Sequence, residues 1–451
     1  MSTQLSDLPG NGRFDRGLHP PEAKSLSAAA AIEVLPTPAS LAVPLLQHTG
    51  APCSPAVKNK EEVTLGQVIG TSEAFISAPV HATVNGTAGK VTVATLPNGR
   101  HVQVVPITPE GEQLQGQALL DEILGGDWPA EAVGQHTGEQ IVQAVKAAGI
   151  VGLGGAAFPT YVKLTPNDAK PVDTLLVNGC ECEPYLTADH RLMIEFPAAV
   201  VLGARLAAKA AGAQRTVIAV EDNKPEAAEA LRRAAEGTDV QVAVVHTRYP
   251  MGGERQVIPA VLKREVPTRG LPLDVGVVVV NVGTCAAVSR AVVRGGALTH
   301  RVVTVTGAGI ARPKNLLVPI GASYADLIEF CGGLTDAAAR VVAGGPMMGF
   351  ALGDLDVPVT KGTSGLLALT NEDVRRAEET ACVRCGRCAD VCPLNLVPSK
   401  IALACRHKDW DQAKRYHLMA CCECGCCGYI CPASIPLVQL MRMGKAQMPK
   451  E

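Results

Sequence analysis

The chain reads as a multidomain α/β protein with a cysteine-rich helical module at its C-terminal end, and three observations predict this. First, β-branched runs at 174–177, 216–220, 240–245 and 275–280 alternate with helical stretches at 192–211 and 225–236, the signature of a largely parallel sheet layered with helices. Second, from 39 to 106 the runs shorten and are punctuated by Asn85-Gly86 and Asn98-Gly99, as in a small β domain joined by tight hairpins. Third, eleven of the sixteen cysteines fall between Cys382 and Cys431.

Taken in order, residues 1–36 are rich in Gly and Pro and read as an N-terminal arm. Residues 37–112 form the β domain, whose segment Ser77-Ala78-Pro79-Val80-His81-Ala82-Thr83-Val84 resembles a half-repeat of biotinyl/lipoyl-type barrels. The carrier lysine flanked by methionines of that family is missing, which argues against a swinging arm. Residues 113–298 carry the α/β layer, opening on a helix at 138–148. Pro225 suits the first turn of the 225–236 helix, with Asp222 or Asn223 as its cap. Residues 299–368 shorten again into a small α+β module with a helix at 324–331 and the turn Gly344-Gly345-Pro346-Met347-Met348-Gly349. Residues 369–451 are the cysteine-rich domain, with a helix at 397–407 that buries Cys405.

Composition excludes several functions. With 41 basic and 43 acidic residues, the chain lacks the basic footprint that nucleic acid requires. No run reaches the roughly 18 apolar residues of a membrane span. Val275–Val280 stops at Asn281, and the 196–211 stretch carries Arg205 and Lys209. The first residues lack the basic start and apolar stretch of an export signal, so a soluble, cytoplasmic protein is expected. In such a setting clustered cysteines point to metal or redox chemistry and not to disulfides.

The cysteines carry the strongest signal. Cys382-Val-Arg-Cys385-Gly-Arg-Cys388-Ala-Asp-Val-Cys392-Pro393 and Cys421-Cys-Glu-Cys424-Gly-Cys-Cys427-Gly-Tyr-Ile-Cys431-Pro432 both follow Cys-x₂-Cys-x₂-Cys-x₃-Cys-Pro. That run binds [4Fe–4S] clusters, and in two-cluster ferredoxins its fourth Cys serves the other cluster. The expected sets are therefore Cys382, Cys385, Cys388 and Cys431 for one cluster, and Cys421, Cys424, Cys427 and Cys392 for the second. Zinc also uses Cys-x₂-Cys pairs, but gives no reason for the triple-plus-Cys-Pro pattern to occur twice. Cys422 and Cys426 are rival ligands within the second run.

A second signal is the loop Gly149-Ile-Val-Gly152-Leu-Gly154-Gly155-Ala-Ala-Phe158-Pro159-Thr160. A dinucleotide fingerprint needs a strand before its glycines; a helix precedes these, so an ordinary Rossmann assignment fails. The loop is either a plain tight turn or a backbone cradle for a phosphate or flat ring, with Lys163 as a nearby cation. Asn178-Gly-Cys180-Glu181-Cys182-Glu183-Pro184, Tyr249-Pro-Met-Gly252-Gly253-Glu254 and Asn281-Val-Gly283-Thr284 each follow a strand. Ligands of parallel sheets bind beyond the carboxyl ends of strands, so these loops share one edge.

These segments, together with Gly17-Leu-His19-Pro20-Pro21-Glu22-Ala-Lys24, Glu221-Asp-Asn-Lys-Pro225 and Ile435-Pro436-Leu437, closely resemble the C subunit of the Rnf family of membrane-bound, ion-translocating ferredoxin:NAD oxidoreductases. The middle is also similar to the flavin-bearing subunit of respiratory complex I. The resemblance implies a barrel-sandwich-like domain, an FMN- and NAD(H)-binding α/β domain, a soluble-ligand-binding β-grasp module and a helical two-cluster ferredoxin-like domain. It implies that Gly152, Gly154, Gly155, Phe158 and Lys163 line nucleotide and flavin. Asn178, Glu181, Glu183, Asn281 and Thr284 would complete the FMN side, and Glu254 would face NADH as the catalytic position. Ala157 stands where relatives usually have Gly, and Cys180 where they have Ala.

The implied activity is electron exchange between NAD(H), FMN and two [4Fe–4S] clusters, peripheral on the cytoplasmic side of the inner membrane. The implied partners are integral membrane and ferredoxin-like subunits, with ferredoxin reached indirectly and no nucleic acid. The alternatives are a microcompartment-type cobalamin reductase, against which the long region before the flavin loop argues, and a non-catalytic iron–sulfur conduit.

Overall fold

The structure, a computed structural model, describes residues 8–167, 169–374 and 377–448. Residues 1–7 of the arm and 449–451 of the cysteine-rich domain lie outside the described residues.

The β-branched runs form a four-stranded sheet in the order Val240–Val245, Arg215–Glu221, Thr174–Gly179, Val277–Asn281. Every pairing is parallel, with Leu176 opposite both Val217 and Val279. Continuous apolar strands are expected where both faces are covered. Alternate residues indeed enter two cores. Leu175, Val177, Ile218 and Val280 pack with the helices Gly138–Ala147, Pro197–Ala211 and Val282–Arg294. Leu176, Val217, Ala219 and Val279 pack with Glu254–Leu262 and with Leu8 and Phe14 of the arm. Gly203 lets two helices approach, since a Cβ there would lie 1.8 Å from the Cys285 carbonyl oxygen.

Two helix expectations are corrected. The stretch expected as one helix over 192–211 is two, Ala188–Glu195 and Pro197–Ala211, broken at Phe196 (φ −131°, ψ 46°). Pro197 has no N–H to donate and drives its predecessor out of the helical region. Pro225–Ala234 begins after Lys224, with no side-chain cap. Asp222 is drawn away to accept from the amide (2.9 Å) and hydroxyl (2.6 Å) of Thr247.

The N-terminal β domain is built from two small sheets around Val43, Ile69, Val80, Val105 and Ile107. Asn98-Gly99 joins Thr92–Thr95 to the antiparallel His101–Pro109, as expected. Asn85-Gly86 does not form a hairpin. Gly86 starts the strand Gly86–Ala88, which lies between Glu62–Val63 and His101–Pro109, and a Cβ there would meet the Thr108 carbonyl at 2.1 Å.

The arm is more than an arm. Its Ile32–Val34 is a parallel edge strand against Lys314–Pro319 in the six-stranded sheet of the following module. In that module Ser323 and Asp326 form a capping box for Tyr324–Phe330. The cysteine-rich domain is helical, with Pro398–Arg406 and Leu437–Gln447 packed through Ile401, Cys405, Leu437 and Met441. Among the described residues, no helix is long and apolar enough to cross a membrane.

Candidate functional site

The glycine-rich loop leaves Gly138–Ala147, whose start is fixed by a capping box between Thr137 and Gln140. It closes on itself through Gly152 N to Phe158 O (2.8 Å) and Ala157 N to Gly152 O (3.2 Å). Leu153 N donates to the buried Thr284 hydroxyl at 2.9 Å. A Cβ at Gly154 would sit 3.5 Å from the Asn281 side chain, while at Gly155 (φ 110°) it would meet open space. The segment thus presents bare backbone, as a cradle needs. Ala157 is held at φ 49°, a left-handed conformation that costs an L-residue roughly 1–2 kcal/mol. Thr160–Leu164 follows, and Lys163 extends to Glu254 (2.8 Å) and the Val279 carbonyl (3.2 Å).

Asn281 organises the neighbouring edge. Its carbonyl caps Val282–Arg294 by accepting from Gly283 N (2.8 Å) and Thr284 N (3.3 Å), and its amide donates to Asp189 at 2.6 Å. Burial and the nearby Glu181 charge push the Asp189 carboxyl well up, against the Asn281 hydrogen bond. Asn178 donates to the Gly252 carbonyl (2.7 Å) and accepts from Cys180 N (3.1 Å), tying two strand-end loops together. Cys182 accepts from Gly252 N at 3.2 Å in the same junction, and Cys180 is fully buried.

The two acidic residues are engaged inside the protein. The Glu181 carboxylate accepts from the amides of Asp189 (2.8 Å) and His190 (3.0 Å) at the start of Ala188–Glu195. Glu183 reaches across to the next module and accepts from Met347 N (3.2 Å) and Met348 N (2.8 Å). Burial raises its pKa to about 7 despite those bonds. Glu254 opens the helix Glu254–Leu262 with its side chain 41% exposed, on the same edge as the glycine loop. Sequence reasoning passed over Asp189 and Tyr249 as functional positions. Tyr249 lies in a segment that carries the resemblance and Asp189 follows shortly after another, and only their partners reveal what they hold.

In the cysteine-rich domain, Cys392 from the first run joins Cys421, Cys422, Cys424, Cys426 and Cys427 around one pocket walled by Leu394, Leu396, Val438 and Met441. Amides of Leu396 and Glu423 donate to the sulfurs of Cys392 and Cys421 at 3.4 Å each. Cys431 is buried, Cys382 and Cys388 are half-buried, and Cys385 is exposed. Thiols spaced around an apolar-walled pocket suit a larger inorganic group, so the donor set fits a cluster.

The domain docks on the sheet edge just described. Tyr249, beside the Asn178–Gly252 junction, donates its hydroxyl to the Cys424 carbonyl at 2.6 Å. Gln256 donates to Pro393 O at 3.4 Å, and Gly17 N to Val391 O at 3.1 Å.

Over 435 residues the chain is 43% identical to the C subunit of the proton-translocating ferredoxin:NAD(+) oxidoreductase complex of Clostridium ljungdahlii, covering 96% of this chain and 93% of that one. The chain belongs to the C-subunit family of ion-translocating oxidoreductase complexes. The sodium-translocating counterpart of Acetobacterium woodii is 42% identical over 97% of each chain. The C subunit of the ion-translocating oxidoreductase complex of Rhodobacter capsulatus is 42% identical over 96% of this chain and 82% of its own. Family models match the RnfC barrel sandwich hybrid domain at residues 12–112, the Nuo51 FMN-binding domain at 145–290 and the SLBB domain at 302–351. In this member of the family the FMN-binding-domain match takes in the glycine loop, Lys163, the acidic loop, Glu254 and Asn281.

Proposed function

We propose that this protein is the peripheral subunit through which an ion-translocating ferredoxin:NAD oxidoreductase complex exchanges electrons with NAD(H), on the cytoplasmic side of the inner membrane. The observation that carries this is one shared edge. The glycine cradle, the Lys163–Glu254 pair and the Asn281 cap meet at the carboxyl end of the sheet, and Tyr249 joins that edge to the Cys424 loop.

In this reading Gly152, Gly154, Gly155 and Phe158 offer backbone to FMN, and Lys163 supplies positive charge to phosphate. Asn178, Glu181, Glu183, Asn281 and Thr284 frame the flavin side, the two glutamates by fixing the backbone around it. Glu254 faces the nicotinamide nucleotide, which its half-exposed position allows. FMN, when bound, takes two electrons from reduced nicotinamide and releases them singly, a conversion that iron–sulfur clusters do not perform.

Cys421, Cys424 and Cys427 hold one [4Fe–4S] cluster with Cys392, and Cys382, Cys385 and Cys388 hold the other with Cys431. The pocket shared by Cys392 and the second run supports this crossed set. Membrane-integral and ferredoxin-like subunits of the complex are the partners, and ferredoxin is reached through them.

The test is flavin, iron and acid-labile sulfide analysis of the purified chain together with NADH-driven reduction of an artificial acceptor. Bound FMN, about eight irons for two four-iron clusters and NADH oxidation are expected. Full iron and sulfide without flavin or NADH oxidation would replace the enzyme with a conduit.

A further inference from the structure

Lys24 and Lys361, in the segments that flank the α/β domain, are almost wholly buried, and both donate to backbone carbonyls of the nucleotide loops. Lys361, in the module that follows the sheet, is 1% exposed and donates to Gly149 O and Pro79 O, each at 2.7 Å. Gly149 begins the glycine-rich loop, and Pro79 belongs to the N-terminal β domain. Lys24, in the arm, is 9% exposed and donates to Glu181 O (2.9 Å), Glu183 O (2.9 Å) and Leu186 O (2.6 Å), spanning the acidic loop.

Each lysine has reinforcement from its own side. Arg301 donates to Lys361 O at 2.5 Å and to Leu153 O at 3.4 Å. Thr49 of the β domain donates its amide to Ala157 O and its hydroxyl to Ala156 O, both at 3.0 Å. The Tyr161 hydroxyl bonds the Phe75 carbonyl. Beside Lys24, Tyr185 N donates to Glu22 O at 2.8 Å.

We propose that Lys24 and Lys361 are positioning residues, each reaching in from a flanking module to hold one of the two nucleotide loops in its binding shape. Burying an ammonium is costly, and an apolar side chain would fill the same volume without that cost. What the ammonium adds is direction. In a trans peptide the carbonyl and the next N–H point opposite ways. Lys361 fixes Gly149 O where the loop leaves its helix and Ile150 N turns back to Val145 O (3.2 Å). Arg301, which also holds Lys361 O, turns Leu153 O inward and so aims Gly154 N–H outward, and Lys24 does the same for Cys182 N–H through Glu181 O. A glycine loop gains least from its own side chains and loses the most entropy on ordering, so its shape has to be imposed by neighbours. The β domain and the following module thus act here as parts of the flavin site.

The inference rests on the FMN reading for its ligand but not for its structural half, so two measurements are made on the full apo chain. Amide exchange by mass spectrometry is followed over residues 149–157 and 180–187, and FMN affinity by quenching of flavin fluorescence. Lys361→Met is expected to speed exchange at 149–157 by about tenfold, the equilibrium equivalent of one lost charge-assisted hydrogen bond, and to leave 180–187 unchanged. Lys24→Met should do the reverse, and each should weaken FMN binding by a comparable factor. Thr49→Val, at an exposed position, loosens 149–157 without a buried change and covers the case in which Lys361→Met does not fold.

Equal acceleration of both loops would reduce the lysines to general stabilisers and overturn the proposal. So would unchanged exchange, or altered exchange with unchanged FMN affinity. If the wild-type chain binds no FMN, the functional reading falls, while loop-selective exchange still decides the role of the lysines.

Discussion

Lys361 makes a prediction in which sign and size both follow from its surroundings. Its acceptors are carbonyls and not carboxylates. Burial lowers its pKa from the ordinary 10.5 to about 7, with the Cys53 thiol opposing. The unfolded chain keeps this proton up to its ordinary value and the fold releases it near neutrality. Between those limits the unfolded state therefore binds more protons, and stability rises with pH. For one such group the gain from pH 7 to pH 9 is about 2 kcal/mol, set by the limit of about 1.36 kcal/mol per unit. Lys361→Met removes that gain and leaves two buried carbonyls short of a donor, at a cost of about 1–3 kcal/mol. Urea unfolding of the reduced apo chain, wild type against variant at the two pH values, reads the difference. Other groups titrate in the same range, but those distant from Lys361 contribute equally to both proteins and cancel. Wild type and variant with the same pH dependence, within about 0.5 kcal/mol, would refute the assignment of a depressed lysine.

Four further outcomes are expected. Cys431→Ala should abolish the cluster of the first run and Cys392→Ala that of the second, read by electron paramagnetic resonance of the reduced protein; loss from the variant's own run would reject the crossed sets. Cys422→Ala should spare both clusters, although this cysteine lines the shared pocket. Thr284→Val strips the acceptor from Leu153 N and should cost about 1–3 kcal/mol in denaturation, with weaker FMN binding. Lys163→Ala breaks a part-exposed ion pair worth at most about 1 kcal/mol to stability, yet should lower FMN or NADH affinity about tenfold or more, measured by fluorescence titration.

The parallel sheet was legible because both its faces are covered, which leaves uninterrupted runs such as Val277–Asn281, buried at every position. The cysteine spacing was legible because ligand geometry imposes it locally. Local rules failed where distant chain decided. Asn85-Gly86 carries the hairpin dipeptide, yet Gly86 is needed for its approach to Thr108 and is absorbed into a strand. The Pro197 break was available in the sequence and was outweighed by the apolar run around it. Nothing near Glu183 announces that its carboxylate serves Met347 and Met348, 164 and 165 residues further along. The same holds for Ile32–Val34, a strand only because Lys314–Pro319 offers it an edge.

That distant engagement of Glu183 bears on how the nucleotide edge and the cysteine module stay in register. The turn at 344–349 receives Glu183 on its amides from one side. From the other side Arg442 donates to Met348 O at 3.0 Å, and Gly425 (φ 87°) packs so close that a Cβ would lie 2.5 Å from Met347 O. Tyr249 closes the circuit through Cys424 O. The second cysteine run is thus fixed to the sheet edge by two separate routes, one through the turn and one direct. The first run is tied to the same side through Val391 and Pro393, so both runs are held by backbone contacts, and within the first run Cys385 is the cysteine left facing solvent.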